Sequence, residues 1–478
     1  MVRTRFAPSP TGYMHIGNLR TALYAYLFAR RNKGKFVLRI EDTDLERYVD
    51  GAVDIIYRTL NESGMRYDEG PGKGGVNPPY IQSERKDIYR KYAERLVKTG
   101  AAYYCFCSKE RLEEMRSAQG DATKYDKHCL GVPSAEVKRR IAAGESCVIR
   151  QNIPASGLIT YTDLVFGEIS IDCKDLEDNI LIKSDGMPTY NFANVVDDHL
   201  MRITHVIRGI EYLSSTPKYN LIYKALGWRE PQYMHLPPIM KDAQHKLSKR
   251  YGDASYEDFR EKGYLKEAVI NYIALLGWSP KDNREKFSLA ELEEIFSAEG
   301  LNRSPAIFDE AKMRWLNAQY VRELTPEKYL EHAERWLDGA GCKGKYDYKL
   351  ATKLLQGRTE VFSQIPELID FLNRFDGYDL GLFDNQKQKT DVRAAKALLP
   401  GIIRAVEGAP DFTSPALYER LQTLAADGGV KSGAVMWIAR IALTGAQTTP
   451  GGATEMAELL GKDESLRRLN ASLKRLEL

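Results

Sequence analysis

Two short segments of the sequence carry residues suited to phosphate chemistry. His15–Asn18 reads His-Ile-Gly-Asn and stands at the start of a helical pattern. The imidazole of His15 can donate to a phosphate, Gly17 lets the backbone approach a ligand, and the helix amino terminus at Asn18 attracts negative charge. A histidine at a helix start can also be only a cap or a surface residue, so this segment by itself does not decide the chemistry.

The second segment, Lys246–Arg250, reads Lys-Leu-Ser-Lys-Arg. Lys246 and Lys249 are one helical turn apart, with Ser248 between them, and two such lysines on a loop can surround a triphosphate. They would offset the negative charge that builds on pyrophosphate as it leaves. The alternative interpretation is a solvated run of charges.

The elements that would position these segments begin with one βαβ unit. Residues 2–7 predict a strand, residues 8–12 a turn, and the apolar spacing from Ile16 a helix ending near Arg31 and Gly34. Residues 36–40 predict a second, buried strand. A crossover of this length joins parallel strands, and ligands bind beyond the carboxyl ends of such strands. We therefore expect Arg5–Ser9, the start of the helix and Glu41–Asp44 to meet at one edge of a sheet.

Composition limits the class of protein. With 478 residues, 43% of them hydrophobic and 28% charged, the chain should divide into several globular domains. A net charge of +3 means that any nucleic acid must meet local basic patches. No apolar run is long enough to span a membrane and the first residues lack the pattern of a signal peptide, so we expect a cytoplasmic location. Nothing in the sequence demands more than a monomer.

Taken together, the two segments resemble the HIGH and KMSKS signatures of class I aminoacyl-tRNA synthetases. Asn18 stands where HIGH has its second histidine, a departure common in the glutamate branch. Further stretches resemble the bacterial glutamyl-tRNA synthetases of this class. These stretches are Arg5–Ser9, Arg39–Asp44, Pro79–Arg85, Ser184–Tyr190, Val195–His199 and Asn271–Trp278.

The resemblance implies an α/β fold. It comprises a Rossmann-type, doubly wound parallel-sheet catalytic domain with an α+β insertion, then a helical stem-contact region and an all-α anticodon-binding domain. The boundaries that we predict are 1–95 and 184–250 for the two halves of the catalytic domain, 96–183 for the acceptor-binding insertion, 251–325 for the stem-contact region and 326–478 for the anticodon-binding region.

The resemblance also implies the reaction and its site residues. Glutamate and magnesium-bound ATP would form glutamyl-adenylate, from which the 3′-terminal ribose of tRNA(Glu) takes the glutamyl group, with His15, Lys246 and Lys249 as the catalytic residues. The ATP-binding residues would be His15, Gly17, Asn18, Lys246, Ser248 and Lys249. The glutamate-binding residues would be Arg5, Ala7, Ser9, Glu41, Tyr190, Asn194 and Arg208. The tRNA-binding residues would be Asp44, Arg47 and Arg358.

Physical chemistry agrees with this substrate. An arginine can grip a carboxylate through two parallel hydrogen bonds in a way that lysine cannot, which suits Arg5 and Arg208. The ammonium group of glutamate needs a carboxylate, and Glu41 stands at the predicted edge. For each residue without the family, an ordinary surface ion pair or a packed side chain is the competing interpretation, and for Arg358 it is an ion pair on a helix.

A cluster of cysteines suggests a metal site. Cys105, Cys107 and Cys129 resemble the zinc-binding insertion of the family, whose fourth ligand is a histidine two residues after the third cysteine. Gly131 occupies that place here. His128 and Tyr125 are the candidates for a fourth donor, and the alternative is three free thiols kept after the metal was lost.

Rival interpretations stay open at this stage. A glutaminyl-tRNA synthetase would share both motifs, but its anticodon portion is built from β-barrels, whereas residues 326–478 show helical periodicity. A small-molecule nucleotidyltransferase would leave the last helical part without a role. A tRNA-binding paralogue without catalysis is disfavoured by the intact His15 and Lys249. The sequence also leaves open whether tRNA(Gln) is charged.

We predict that Lys249→Ala lowers the rate of glutamate activation by more than roughly tenfold, because it removes a charge contact to the transition state. The affinity for glutamate should change little. Pyrophosphate exchange measured over a range of glutamate concentrations separates the two effects, and equal rates in mutant and parent would contradict the role of Lys249.

Overall fold

The computed structural model describes residues 1–44, 49–119, 124–247, 255–375 and 377–477. Three residues with predicted roles, Arg47, Ser248 and Lys249, lie outside these ranges, and their assignments stay predictions. The chain divides into two compact units. The first comprises Met1–Arg260 with Lys266–Glu310, and the second comprises Glu261–Leu265 with Ala311–Leu478.

The first unit alternates strands and helices. In chain order its elements are β1 (Arg3–Phe6), α1 (Ile16–Arg31), β2 (Lys35–Leu38), α2 (Ala52–Glu62), α3 (Lys86–Lys98), β3 (Ala102–Cys105), α4 (Lys109–Gln119), α5 (Ser134–Ala142), β4 (Val148–Gln151), β5 (Leu158–Asp163), β6 (Gly167–Asp172), β7 (Ile180–Ile182), α6 (Tyr190–Leu200), β8 (His205–Gly209), α7 (Thr216–Leu226), β9 (Gln232–Leu236), β10 (Ile239–Met240), α8 (Tyr256–Glu261), α9 (Lys266–Leu275), α10 (Leu289–Ile295) and β11 (Ala306–Ile307).

Two βαβ units form the centre of the first unit. β1 pairs in parallel with β2 across the connection made by α1, and β8 pairs in parallel with β9 across the connection made by α7. The amide of Thr204, just before β8, donates to the carbonyl of Arg3 at 2.9 Å, which brings the two pairs of strands together. The parallel crossover predicted for the first 40 residues is thus confirmed.

Apolar periodicity explains why α1 and β2 form where they do. Leu19, Leu23 and Leu27 of α1 are fully buried, and so is the whole run Phe36–Leu38 of β2. A strand buried on both faces reads as a continuous apolar run, which is typical of a parallel sheet covered by helices. α1 is therefore the helix that covers the strands carrying the predicted site.

The predicted insertion combines the helices α4 and α5 with short, mostly antiparallel strands. β3, β4 and β7 form one antiparallel sheet. β5 and β6 form a hairpin, and the last residue of β5, Asp163, pairs in parallel with Tyr233 of β9. Through that single pairing the hairpin continues the sheet of β8 and β9, so a residue of the insertion reaches the centre of the unit.

The second unit is helical throughout the part that the structure describes, and no strand occurs there. Its elements are α11 (Glu310–Arg322), α12 (Pro326–Gly339), α13 (Tyr348–Leu355), α14 (Ile365–Leu368), α15 (Val392–Glu407), α16 (Ser414–Asp427), α17 (Ser432–Thr444), α18 (Ala453–Leu460) and α19 (Lys462–Glu477). The buried Arg468 of α19 ties this unit together, because its Nη1 and Nη2 donate at 2.8 Å to the carbonyls of Phe371 and Leu372. The all-α architecture predicted for this region is confirmed.

Within the described residues, no helix combines the length and the apolar character needed to cross a lipid bilayer.

Candidate active site

The carboxyl ends of β1 and β2 lie side by side because the strands are parallel and Phe6 pairs with Leu38. Backbone hydrogen bonds continue past both ends, since the amide of Arg39 donates to the carbonyl of Phe6 and the amide of Glu41 donates to that of Pro8, each at 3.0 Å. Ala7 is half-buried and Ser9 is exposed along the same stretch. The edge predicted from the sequence therefore exists, and Glu41 lies on it.

His15 caps the amino terminus of α1. Its Nδ1 accepts a hydrogen bond from the amide of Gly17 at 3.0 Å, and the amide of Asn18 donates to its carbonyl at 2.9 Å. Because Nδ1 is an acceptor, a neutral imidazole carries its proton on Nε2, which is the form that donates to a phosphate. A Cβ at position 17 would lie 3.2 Å from Nδ1 of His15, so glycine keeps this turn tight.

The described residues that flank positions 248–254 contact two parts of the first unit. Lys246 is exposed and pairs with Met240 of β10, and the amide of Leu247 donates to the carbonyl of Ile239. Ser255 forms an antiparallel bridge with His15, and the amide of Tyr256 donates to the carbonyl of Met14 at 3.2 Å. The chain that leaves Leu247 thus returns at Ser255 directly beside His15.

A buried network of charges lies behind this edge. Arg39 has no exposed surface, and it donates to Oε1 of Glu41 at 2.9 Å and to Oδ1 of Asp198 at 2.8 Å. Nε of Arg5 donates to the same carboxylate of Asp198 at 3.1 Å. Burial raises the pKa of Glu41, while Arg39 and Arg5 act in the opposite direction. The end of α6 is thereby fixed to the ends of β1 and β2.

Asp197 extends the network to α3. It accepts from Nε of Arg85 at 2.7 Å, from Nε2 of Gln82 at 2.9 Å and from the hydroxyl of Tyr89 at 2.8 Å. Buried carboxylates are tolerated when such partners satisfy them. Asp197 and Asp198 are consecutive residues of α6, so this one helix pairs with charges from three different parts of the chain.

Arg208 differs from the arginines of the network. It is only 5% exposed, and its Nε and Nη2 donate to Nε2 of His235 at 3.1 Å and to Oγ1 of Thr216 at 2.7 Å. The ring of Tyr219 lies 4.9 Å from its guanidinium carbon. Among the described residues Arg208 forms no ion pair with a carboxylate, and its Nη1 makes no hydrogen bond.

Tyr190 and Asn194 lie near the start of α6, on the same side of the helix. The ring of Tyr190 packs against that of Tyr212 with centroids 5.0 Å apart, and burial raises the pKa of Tyr190 well above its usual value. Asn194 is buried, and its side-chain amide donates to the carbonyl of Tyr190 at 2.5 Å. Both residues are positioned by the helix that carries Asp197 and Asp198.

Two family models match the chain. "tRNA synthetases class I (E and Q), catalytic domain" covers residues 1–315, and "Anticodon binding domain" covers residues 320–473. A glutamate–tRNA ligase from Clostridium acetobutylicum is 52% identical to this chain over 100% of its length and 99% of the relative's. The chain belongs to the glutamate–tRNA ligase family.

Other members of the family agree. The glutamate–tRNA ligase of Clostridium botulinum strain Hall is 51% identical over 100% of this chain and 99% of its own. A crystal structure of a glutamate–tRNA ligase from Elizabethkingia meningosepticum, in complex with its amino acid, superimposes with a TM-score of 0.90 at 36% identity, covering 99% of each chain. The family and the fold class predicted from the sequence are confirmed.

The cysteine cluster of this family member includes a tyrosine. The sulfur atoms of Cys105, Cys107 and Cys129 lie within 4.8 Å of one another. The hydroxyl of Tyr125 lies 3.3 Å from the sulfurs of both Cys105 and Cys107, and its side chain is buried, whereas His128 is exposed. Of the two candidates for a fourth donor, the structure brings only Tyr125 to the sulfurs.

The predicted tRNA-binding residues lie apart along the chain. Asp44 is exposed just beyond β2, and Arg358 is exposed beyond α13 in the second unit. Arg358 lines a cavity of about 440 Å³ together with Lys353 and Arg440. Burial lowers the pKa of Arg440, and the charge of Arg358 acts in the same direction. Arg358 forms no ion pair within the described part of the chain, so the helix-surface pairing considered for it is absent there.

Sequence reasoning assigned no role to several residues of the site. Asp198 belongs to a stretch that resembles the family, and Arg39 lies inside the predicted apolar strand 36–40, but the sequence alone gives neither residue a role in the site. Adjacent aspartates after Val195 and Val196, and an arginine between Leu38 and Ile40, are charges within apolar runs. Such charges indicate buried pairing, and this signal was present in the sequence. His235 and Asp163 carried no comparable signal.

We expect Asp198→Ala to reduce local stability by about 3–5 kcal/mol, because it leaves Arg5 and Arg39 as buried charges without their shared partner. Hydrogen–deuterium exchange of the amides in α6 and β2 measures this effect on the first unit by itself. Asp282→Ala is the control, since Asp282 is half-exposed and pairs with the equally exposed Arg284. A loss at Asp198 no larger than that at Asp282 would contradict the structural role of the network.

Proposed function

We propose that this chain is a glutamate–tRNA ligase that activates glutamate with ATP and transfers it to the 3′-terminal ribose of tRNA(Glu). The observation that carries the proposal is Arg208, a buried guanidinium without a carboxylate partner in the described part of the chain. A buried cation of this kind is costly unless an anion pairs with it. The side-chain carboxylate of glutamate supplies that anion, and glutamine does not.

The other glutamate contacts follow from the same edge. Nη2 of Arg5 makes no hydrogen bond among the described residues, although its Nε is held by Asp198. Glu41 takes the ammonium group of glutamate, and Tyr190 and Asn194 line the pocket. The backbone of Ala7 and the hydroxyl of Ser9 contact the α-carboxylate of glutamate as it approaches ATP. The network behind the edge keeps these groups in position before the substrate arrives.

The enzyme needs no nucleophile of its own in this reaction. An oxygen of the glutamate α-carboxylate attacks the α-phosphorus of ATP, the bond to the bridging oxygen breaks, and pyrophosphate leaves with its electron pair. Magnesium accompanies ATP as part of the substrate. His15 donates through Nε2 to a phosphate, and Gly17 and Asn18 present backbone amides at the helix terminus. Lys246, with Ser248 and Lys249 beyond it, offsets the charge on pyrophosphate.

For tRNA we propose that Arg358 reads an anticodon base. Single-stranded loops expose base edges that an arginine can recognise through hydrogen bonds. The cavity lined by Lys353, Arg358 and Arg440 also includes Glu455, so its charged side chains leave a net positive surface for such a base. Asp44 and Arg47 are proposed to contact the acceptor part of the same tRNA, and the cytoplasm is the proposed place of the reaction.

We also propose that the cysteine cluster holds one Zn²⁺ through Cys105, Cys107, Cys129 and the hydroxyl of Tyr125. Three sulfurs within 4.8 Å and a hydroxyl in contact with two of them make four donors around one point, the number that a structural zinc site uses. Burial raises the pKa of the Cys107 thiol to about 11, with Cys105 adding to the effect, and a bound cation would reverse this shift. Zinc here stabilises the insertion and takes no part in the chemistry.

The zinc assignment predicts that Tyr125→Phe weakens zinc binding by about tenfold or more, because one of four donors is lost. Competition with a chromogenic chelator measures the affinity, and mass spectrometry of metals measures the content of the parent. Tyr103→Phe is the control, since the hydroxyl of Tyr103 donates to Asp178 at 2.7 Å and belongs to the same buried cluster. A parent protein without zinc would contradict the site, and equal affinities would remove Tyr125 from it.

The function itself is tested by ATP–pyrophosphate exchange with glutamate or glutamine, with and without tRNA(Glu) and tRNA(Gln). We expect exchange with glutamate in the presence of tRNA(Glu), because members of this family usually need tRNA for the first step. Exchange with glutamine alone, or none under any condition, would contradict the proposal. Charging of purified tRNA(Gln) in a second assay shows whether the enzyme also accepts that tRNA.

Arg208→Gln should raise KM for glutamate by more than about a hundredfold, because the charged hydrogen bonds to the side-chain carboxylate are lost. KM for ATP should stay close to that of the parent. Arg229→Gln is the matched control, since Arg229 is exposed after α7. If the two substitutions changed KM for glutamate equally, a group other than Arg208 would have to recognise the side-chain carboxylate.

A further inference from the structure

A line of hydrogen-bonded residues from β9 and β5, the next two strands of the sheet after β8, holds the Arg208 guanidinium. Arg208 of β8 pairs in register with His235 of β9, and Asp163 is the last residue of β5, on the other side of β9. Nε of Arg208 donates to Nε2 of His235 at 3.1 Å, and Nδ1 of His235 lies 2.7 Å from Oδ2 of Asp163. Three side chains on three adjacent strands thus form one line that ends at the proposed carboxylate site.

The chemistry of arginine fixes the state of His235. A guanidinium has donors only, so Nε2 of His235 must accept, and the proton of a neutral imidazole must be on Nδ1. A protonated His235 would direct a second N–H at Arg208 and add a charge beside it. Burial lowers the pKa of His235, although Asp163 acts in the opposite direction.

Asp163 is itself fixed by the backbone. Its Oδ1 accepts from the amides of Val165 and Phe166, each at 2.9 Å, and its Oδ2 accepts from the amide of His235 at 3.1 Å. The side chains of Asp163 and His235 have no exposed surface. The carboxylate of Asp163 accepts from these three amides and can only accept from Nδ1 of His235 as well. It therefore selects the same tautomer of His235 that Arg208 requires.

We propose that Asp163 and His235 are positioning residues for glutamate recognition: together they lock the neutral, Nδ1-protonated imidazole that holds the Arg208 guanidinium toward the side-chain carboxylate of the substrate. The inference rests on the proposed function, because it assigns Arg208 to that carboxylate. It places a residue of the insertion, Asp163, in control of amino-acid affinity. Thr216 is the second anchor, through its hydroxyl on Nη2 of Arg208.

Asp163→Asn tests the proposal with little change in shape. The oxygen of the introduced asparagine is required by the amides of Val165 and Phe166, so its NH₂ group takes the place of Oδ2. There it is directed at Nδ1 of His235, and it no longer accepts from the backbone amide of His235. The proton of His235 then moves to Nε2, where two donors face each other at Arg208. We expect KM for glutamate to rise by about tenfold or more and KM for ATP to stay within about twofold, since a lost charge-assisted contact has this scale.

The tautomer is read directly by ¹⁵N NMR of protein labelled at its 7 histidines. His235→Gln identifies the signals of His235 by their loss, and the side-chain oxygen of the introduced glutamine still accepts from Arg208, so its KM for glutamate should lie within about threefold of the parent. His205→Leu is the control for removing a histidine at the opposite end of β8. If Asp163→Asn does not fold, His235→Leu against His235→Gln gives the same comparison with and without an acceptor.

The proposal is supported by an Nδ1 proton in the parent, an Nε2 proton in Asp163→Asn and a rise in KM that is confined to glutamate. It is overturned by an Nε2 proton or a charged ring in the parent at neutral pH. It is also overturned if the tautomer changes in Asp163→Asn while KM for glutamate stays as in the parent. The same holds if KM for glutamate is equal in His235→Leu and His235→Gln. A parent that shows no glutamate-dependent exchange fails the proposed function instead, and this result is seen before any variant is made.

Discussion

The need to pair every charge that is removed from water governs the first unit. Arg39 has no exposed surface, so Glu41 and Asp198 must lie against it, and Asp198 in turn brings Arg5 to the same place. A buried ion pair adds little net stability compared with apolar packing, but losing one partner is costly. The ends of β1, β2 and α6 are therefore fixed relative to one another before any substrate binds.

Against this background the two kinds of arginine at the edge have different roles. Arg39 is paired with the carboxylates of Glu41 and Asp198 and has no surface exposed to a ligand. Arg208 is held by His235 and a hydroxyl, and among the described residues it forms no ion pair with a carboxylate. In the proposed site, arginines that form ion pairs with carboxylates build the edge, and an arginine without such an ion pair is free to take the side-chain carboxylate of glutamate, which is a form of preorganisation.

Local pattern predicted the parts of the structure that depend on local chemistry. The strand at the amino terminus, α1, the parallel crossover and the helical second unit follow from apolar spacing and turn residues, as Ile16–Leu27 and Phe36–Leu38 illustrate. Cys105, Cys107 and Cys129 were predicted to lie together. Long-range pairings were not predicted, because no spacing rule connects Arg39 with Asp198, or Asp163 with His235 and Arg208.

Tyr125 was one of two candidates, and only three-dimensional contacts separated it from His128. The five-part division of the chain stays a prediction beside the two units that the structure shows. Roles for Arg47, Ser248 and Lys249 likewise stay predictions, since these residues lie outside the described ranges. The sequence thus predicted the strands and the helix that form the edge of the site. The buried ion pairs that make this edge rigid could be recognised only in the folded structure.

The most direct test of the account is a crystal structure of this protein with glutamate bound. We predict that an oxygen of the side-chain carboxylate lies within about 3 Å of Nη1 of Arg208, with Nε still hydrogen-bonded to His235. A side-chain carboxylate that lies in solvent, or that contacts other groups while Nη1 of Arg208 stays without an anion, would contradict it.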